Sequence, residues 1–213
     1  MAGKSDQFEL RCYTLIDQMQ PQLAAFMGTV TQGDPPIQGM ASLYIELAPG
    51  SQVYRLMDMA LKATDVRPGA QVVERVFGML EVHSFSQEEV REAGRVILEQ
   101  VGLTEKDRLK PVVASVQYIT NVSPRQAQIL NSFTRGSMIV AGETLLVVEC
   151  APAAYAAYAT NEAEKAADIK ILHVRVTGAY GRSWMSGTEA FALAAKRAAV
   201  RALEQLEGRE PKK

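Results

Sequence analysis

The sequence predicts an α+β fold in two fused like domains, each a sheet with helices packed against it. Three observations carry this reading. The chain repeats itself: adding 103 to a residue number in the first half finds its counterpart in the second. Ile16 meets Ile119, Pro21 meets Pro124, Gly33 meets Gly136, Glu46 meets Glu149, Pro49 meets Pro152, Asp65 meets Asp168 and Gly78 meets Gly181, with no gap. A repeat as long as a domain means that each half can bury its own core. The length of 213 residues accommodates two units of ordinary size, here taken as 1–104 and 105–213. Each half also alternates short strand-forming runs with helical periodicity, the order expected of an α+β layer structure.

Phe8 to Ile16 is rich in strand formers. Pro21 then opens a short helix with Leu23, Ala24, Phe26 and Met27 as its apolar side; its twin starts Ser123-Pro124, an N-cap hydroxyl followed by proline at the first helical position. Ala41 to Leu47 and Thr144 to Cys150 are short apolar strands. Each leads through a proline into a helix, Ser51 to Thr64 and Ala153 to Ala167, with Val53, Leu56, Met57, Ala60 and Leu61 at helical spacing in the first. Long extended segments follow, Ala70 to Val82 and Ile169 to Met185, each expected as a strand with a hairpin. Closing helices are expected over Gln87 to Gln100, with Val90, Ala93, Ile97 and Val101 inward, and over Glu189 to Leu206, with Phe191, Ala194, Ala195, Ala198 and Leu203 inward. Gly102 to Lys110 is polar and ends at a proline, so it reads as the linker. The tail from Gly208 to Lys213 is expected to fray.

A net charge of -1 gives no general attraction to nucleic acid or to an anionic membrane. No apolar run nears the roughly 18 residues of a membrane span. Met1 to Gln7 lacks the apolar core of a secretion signal. Cys12 and Cys150 are too few for a disulfide framework and read as buried thiols of a reducing compartment. No catalytic constellation is found, so no enzyme, cofactor or metal is expected. His83 and His173 are not twins, no His/Cys cluster has ligand spacing, and neither a nucleophile elbow nor a phosphate loop occurs. Glu46 and Glu149 each end a strand and read as carboxylates that fix a strand-to-helix turn. Trp184 says nothing alone.

One polar pair stands out. Glu74-Arg75 interrupts the apolar run Val72-Val73 … Val76-Phe77-Gly78. A strand buried on both faces cannot hold two adjacent charges cheaply, so the chain must turn or reach solvent there. The second half has Thr177-Gly178 at that place. Either an ordinary solvated turn or a functional device accounts for the pair.

Several segments resemble a known family. Ala60-Leu61-Lys62-Ala63-Thr64-Asp65-Val66 and Ala163-Glu164-Lys165-Ala166-Ala167-Asp168-Ile169 resemble the helix-to-strand signature of bacterial microcompartment shell domains, each preceded by a strand ending in glutamate. Phe8 to Tyr13, Gln20 to Val30, Val72 to Gly78 and Ser137-Met138-Ile139 resemble the circularly permuted, tandem-domain shell proteins of carboxysomes. The compact length favours the β-carboxysome branch from cyanobacteria.

The resemblance implies an antiparallel sheet with helices in each domain, and a homotrimer that imitates a hexagonal tile, with two trimers stacked. It implies a wide central pore gated by Glu74 and Arg75, flanked by Val73, Val76, Phe77, Gly78, Thr177 and Gly178. Lys62 and Lys165 become tile-edge candidates, or else plain solvated lysines. Partners would be other carboxysome shell proteins and anionic sugar phosphates such as ribulose bisphosphate and phosphoglycerate. Neither nucleic acid nor membrane is implied, and the location would be the carboxysome shell in the bacterial cytoplasm. A trimeric small-molecule binding or sensor protein without a transport role is the alternative.

Overall fold

The computed structural model describes residues 8–210. The first half runs β1 (Glu9–Ile16), α1 (Pro21–Val30), β2 (Ala41–Ala48), α2 (Gln52–Ala63), β3 (Arg67–Glu74), β4 (Phe77–Ser84) and α3 (Gln87–Val101). The second runs β5 (Val112–Ile119), α4 (Pro124–Phe133), β6 (Thr144–Ala151), α5 (Tyr155–Ala166), β7 (Lys170–Arg175), β8 (Gly181–Gly187) and α6 (Glu189–Glu204). Each half builds one four-stranded antiparallel sheet, in the orders β1-β2-β4-β3 and β5-β6-β8-β7. Even the irregularities are duplicated: a bulge at Leu10/Cys12 recurs at Val113/Ser115. Gly33 and Gly136 are twins for a steric reason. A Cβ on either would lie 2.1 Å or 2.4 Å from the carbonyl oxygen of Pro68 or Ile171, where no side chain fits.

The central strand β2 is buried on both faces, which explains its unbroken apolar run. Leu43, Ile45 and Leu47 join Val53, Leu56, Met57 and Ala60 of α2 and Val90, Ala93, Ile97 and Val101 of α3 in one core. Ser86 caps α3 by accepting the Glu89 N–H at 3.3 Å, and Gly102 ends it with φ 70°. Helix α1 does not serve this core. Its apolar side (Leu23, Ala24, Phe26, Met27) packs with α5 and β7 of the other half, in a core that includes Cys12, Tyr155 and Ala159. The two halves are therefore interlocked by β1 and α1.

The two extended segments are the expected hairpins, with turns at Arg75-Val76 and over 176–180. Other sequence expectations are refined. Helix α6 buries Ala192, Ala195, Ala199 and Leu203, while Phe191 is exposed and Ala194 and Ala198 are only partly covered. Leu61 faces outward, so the buried stripe of α2 ends at Ala60. The linker holds a 3₁₀ turn, Glu105–Asp107, closed by a capping box with Thr104. The tail does not fray through Glu210: Arg209 pairs with Leu109, and its N–H donates to the Arg108 carbonyl at 2.8 Å. The remaining tail residues and Met1 to Gln7 lie outside the described residues. Both cysteines are buried free thiols. No helix among the described residues is long and apolar enough to cross a membrane.

Candidate functional site

The Glu74-Arg75 pair sits at the tip of the β3–β4 hairpin. Glu74 pairs with Phe77, which leaves Arg75 and Val76 as a two-residue turn. Arg75 takes φ 55°, an uncommon conformation for a side chain that is not glycine. The Val76 carbonyl accepts the Gly50 N–H at 3.0 Å, which pins the turn to the start of α2. Glu74, Arg75 and Val76 are exposed, Phe77 is half-buried and Gly78 is buried. The charges thus reach solvent, as their position in an apolar run requires.

The twin loop lies beside this tip. Gly178 has φ 105°, and a Cβ on it would lie 3.5 Å and 3.6 Å from the two carboxylate oxygens of Glu74. A narrow crevice lined by Glu46, Glu74, Phe77, Thr177 and Gly178 joins the loops. All eight residues expected around a pore, Val73 to Gly78 with Thr177 and Gly178, therefore lie at the tips of two adjacent hairpins. Lys62 and Lys165 lie elsewhere. Lys62 is exposed and pairs with Asp58 at 2.6 Å, whereas Lys165 is held by Glu162 at 2.9 Å and Asp17 at 3.0 Å.

Sequence reasoning missed what stands behind the tip. The Arg11 guanidinium lies 3.6 Å from the centre of the Phe77 ring and donates to Glu46 at 2.7 Å. Glu46 also accepts the Ala154 N–H at 3.2 Å, so it fixes a strand-to-helix turn of the other half and not its own. Burial pushes the Glu46 carboxyl up, against the pull of Arg11. Its twin Glu149 is bound by Ser115 at 2.7 Å and by Arg182, which hold its carboxyl below the ordinary range. The only sequence signal was that both glutamates recur.

The junction continues along α1. Its N-terminal N–H groups at Gln22 and Leu23 donate to the Glu164 carboxylate at 2.8 Å and 2.9 Å, an anion at a helix N-terminus. At the other, C-terminal end of α1, a cavity of about 410 Å³ is lined by Thr31, Arg135, His173 and Arg175. His173 stands edge-on to Phe26 and Trp184, with centroids 5.2 Å and 5.3 Å away. Burial, with Arg175 and Arg135 nearby, holds its pKa below the ordinary value. Trp184, silent in the sequence, is a wall of this box. Among the described residues no group of three His, Cys, Asp or Glu is placed to hold a metal ion.

Comparison with known proteins agrees with this architecture. Residues 10–107 match the family model described as the CsoS1D N-terminal domain. The chain is 54% identical to the carboxysome shell protein CcmP of Synechococcus elongatus, over 95% of each chain. It is 46% identical to the carboxysome shell protein CsoS1D of Hydrogenovibrio crunogenus, over 93% of this chain and 97% of that one. Among solved structures it resembles a fused permuted hexameric shell protein of the RMM microcompartment (TM-score 0.90, 40% identity, 93% of this chain and 100% of that one). It also resembles a double-ringed trimeric shell protein of the same microcompartment (TM-score 0.92, 38% identity, 96% and 100%). With its duplicated sheets, its interlocked halves and this degree of identity along nearly the whole length, the chain belongs to the tandem-domain family of carboxysome shell proteins.

Proposed function

We propose that three copies of this chain close into a hexagon-shaped tile of the carboxysome shell, and that Glu74 and Arg75 gate its central opening. The observation that carries this reading is that Glu74 and Gly178 line one narrow crevice. Twin loops that lie side by side are successive positions around a ring, so three chains would alternate three charged tips with three Thr177-Gly178 loops. The hexameric and trimeric shell structures that the chain resembles support the ring, and the double-ringed one supports two stacked trimers. We take 1–104 and 105–213 as the duplicated units, and Lys62 and Lys165 as edge residues that meet neighbouring tiles. The structural, non-enzymatic role rests on family membership, as does location in the carboxysome shell.

Three Arg75 guanidiniums near one axis repel one another unless carboxylates intervene, because arginine stays charged. Glu74 supplies them. Paired across the opening, the side chains close it; with Glu74 withdrawn against Gly178, a cationic rim remains. Such rims favour anions, and arginine matches phosphate bidentately. The cargo in this reading is an anionic sugar phosphate such as ribulose bisphosphate or phosphoglycerate. An exposed ion pair contributes only ~0–1 kcal/mol, so modest differential binding shifts the gate. Glu74→Ala combined with Arg75→Ala should give an open axis in a crystal structure; an axis still occluded by other side chains overturns the gate.

The alternative, a trimeric small-molecule sensor, draws on the Arg135–His173–Arg175 cavity. Negative-stain images separate the two: a tile forms flat arrays or joins mixed shells, and a sensor does neither.

A further inference from the structure

The backbone of the hairpin that carries the charged pair is clamped at its base. A Cβ on Gly78 would lie 2.1 Å from the Gly50 carbonyl oxygen and 2.6 Å from the Val53 side chain, so the chain there is pressed against the start of α2. The Gln71 amide of β3 donates to the Val53 carbonyl at 3.1 Å, and the Val76 carbonyl is held by the Gly50 N–H. What is left to move at the tip is side chains. Phe77 is the ladder partner of Glu74. Residues opposed across an antiparallel pair stand on the same face, with Cβ atoms about 4.5–5.5 Å apart. The crevice beside them has Glu46, Glu74 and Phe77 in its wall and is narrow, so ring and carboxylate compete for it.

The ring is held by Arg11, whose guanidinium carbon lies 3.6 Å from its centroid. The same guanidinium donates to one Glu46 oxygen at 2.7 Å, and the other Glu46 oxygen accepts the Ala154 N–H at 3.2 Å, where α5 of the second half begins. The Arg11 side chain is 14% exposed and that of Glu46 3%; a cation–π contact gains strength as water is excluded. The second half keeps the glutamate and lacks this brace. The twin of Arg11 is Ala114, and Glu149 takes its arginine from β8 as Arg182, whose own twin is Met79. The twin of Phe77 is Tyr180, 44% exposed, and among the described residues no cation lies over its ring. Arg182 shows that neutralising such a glutamate does not require an arginine on the outer strand. What the first half gains from placing it on β1 is the stack on the aromatic ring of the charged tip.

We propose that Arg11 is the positioning residue of the gate. Stacked on Arg11, the Phe77 ring leaves the crevice to Glu74, which rests beside Gly178 in its withdrawn setting. Released, the ring turns into the crevice and drives Glu74 out toward the arginines at the opening, which closes it. Glu46 continues the link to the start of α5, so the setting of the gate depends on how the two halves of the chain meet. The inference rests on the gate of the proposed function and names what holds it open.

Cryo-electron microscopy of the natural assembly, with each tip sorted by its setting, gives the ratio of withdrawn to extended Glu74. An assembly in which Glu74 and Arg75 lie away from a central opening overturns the gate and the brace together. With the tips at the opening, Arg11→Gln should lower the ratio about fivefold, with mass and circular dichroism unchanged. A ratio equal to that of the natural chain overturns the brace and leaves the gate standing. Adding Phe77→Leu to Arg11→Gln should restore the natural ratio, because leucine is too small to displace Glu74. Damage to the packing around Glu46 would not be repaired by a second truncation, and a ratio that stays low overturns the brace. Should Arg11→Gln fail to fold, Arg11→Lys keeps a charge for Glu46 but loses the flat stack. It should lower the ratio about twofold, and an unchanged ratio there overturns the brace as well.

Discussion

Helices α1 and α4 have the same length, start at the same proline and occupy the same place in their halves, yet they live differently. Helix α1 buries four apolar residues against the other half and has its N-terminus capped by a carboxylate from it. Helix α4 buries only Ala127 and Leu130, caps itself with Ser123 at 3.3 Å, and leaves Ile129 and Phe133 exposed. Likewise Glu46 is buried against a partner turn, while Glu149 is satisfied by its own sheet. The difference teaches that a duplicated unit keeps its backbone and lets its neighbour decide the energetics. A position is core or surface here according to which half lies over it.

The largest expected effect comes from the twin pair Phe26 and Ile129. Phe26→Ala should cost about 3–5 kcal/mol of subunit stability through lost burial and an unfilled cavity. Ile129→Ala should cost the dissociated subunit under about 0.5 kcal/mol, and act on assembly instead. Urea unfolding of each variant, at protein concentrations low enough to dissociate any assembly, measures both, and equal costs would break the comparison. Next comes Glu46→Gln, which leaves the largely buried Arg11 without its charge partner and weakens the hold on Ala154; about 2 kcal/mol is expected. Glu149→Gln, partly exposed, should stay below about 1 kcal/mol in the dissociated chain. A smaller effect, about 0.5–1 kcal/mol, is expected of Glu164→Gln, which removes the anion from the α1 N-terminus but keeps an acceptor there. Loss of amide-exchange protection confined to the first turn of α1 would locate it.

Much of this architecture was readable from residue patterns alone. The repeat set the two sheets, and Pro21 and Pro124 marked α1 and α4. The stripe Val90, Ala93, Ile97, Val101 oriented α3, because large side chains alternate there with charges. Helix α6 was misoriented since alanine lies on nearly all its sides, and a pattern without contrast has no phase. The hairpin turn at Arg75 was legible because two adjacent charges interrupt a run that is apolar on both sides of the pair. The tail pairing of Arg209 runs through backbone groups, which carry no side-chain signal. The two candidate loops were legible only through family resemblance and the twin positions: nothing local to Glu74 or Gly178 says that they lie side by side. The aromatic box around His173 draws Phe26, Phe133 and Trp184 from distant segments, so no spacing could announce it.

The smallest expected effect is also the most direct measure of what a neighbour does to a twin residue. Glu46 and Glu149 share an ordinary carboxyl value of about 4.5 and are displaced in opposite directions, Glu46 upward by burial and Glu149 downward by the Ser115 and Arg182 hydrogen bonds. The signs follow from linkage. For Glu46 the folded state binds the proton more tightly than the unfolded chain, so it adds stability below 4.5 that fades as pH rises through its folded value. For Glu149 the unfolded chain binds the proton more tightly, so its stability is complete above 4.5 and is lost as pH falls through its folded value. In the dissociated chain, carbon-detected carboxyl titrations should place Glu46 above and Glu149 below the ordinary glutamate. In an assembly that covers it, exclusion of water should carry Glu149 upward, toward the behaviour of its twin, since desolvation raises a carboxyl. A Glu149 titration that is the same in both states would mean that no neighbour covers it, and that the two halves of this chain differ for a reason other than assembly.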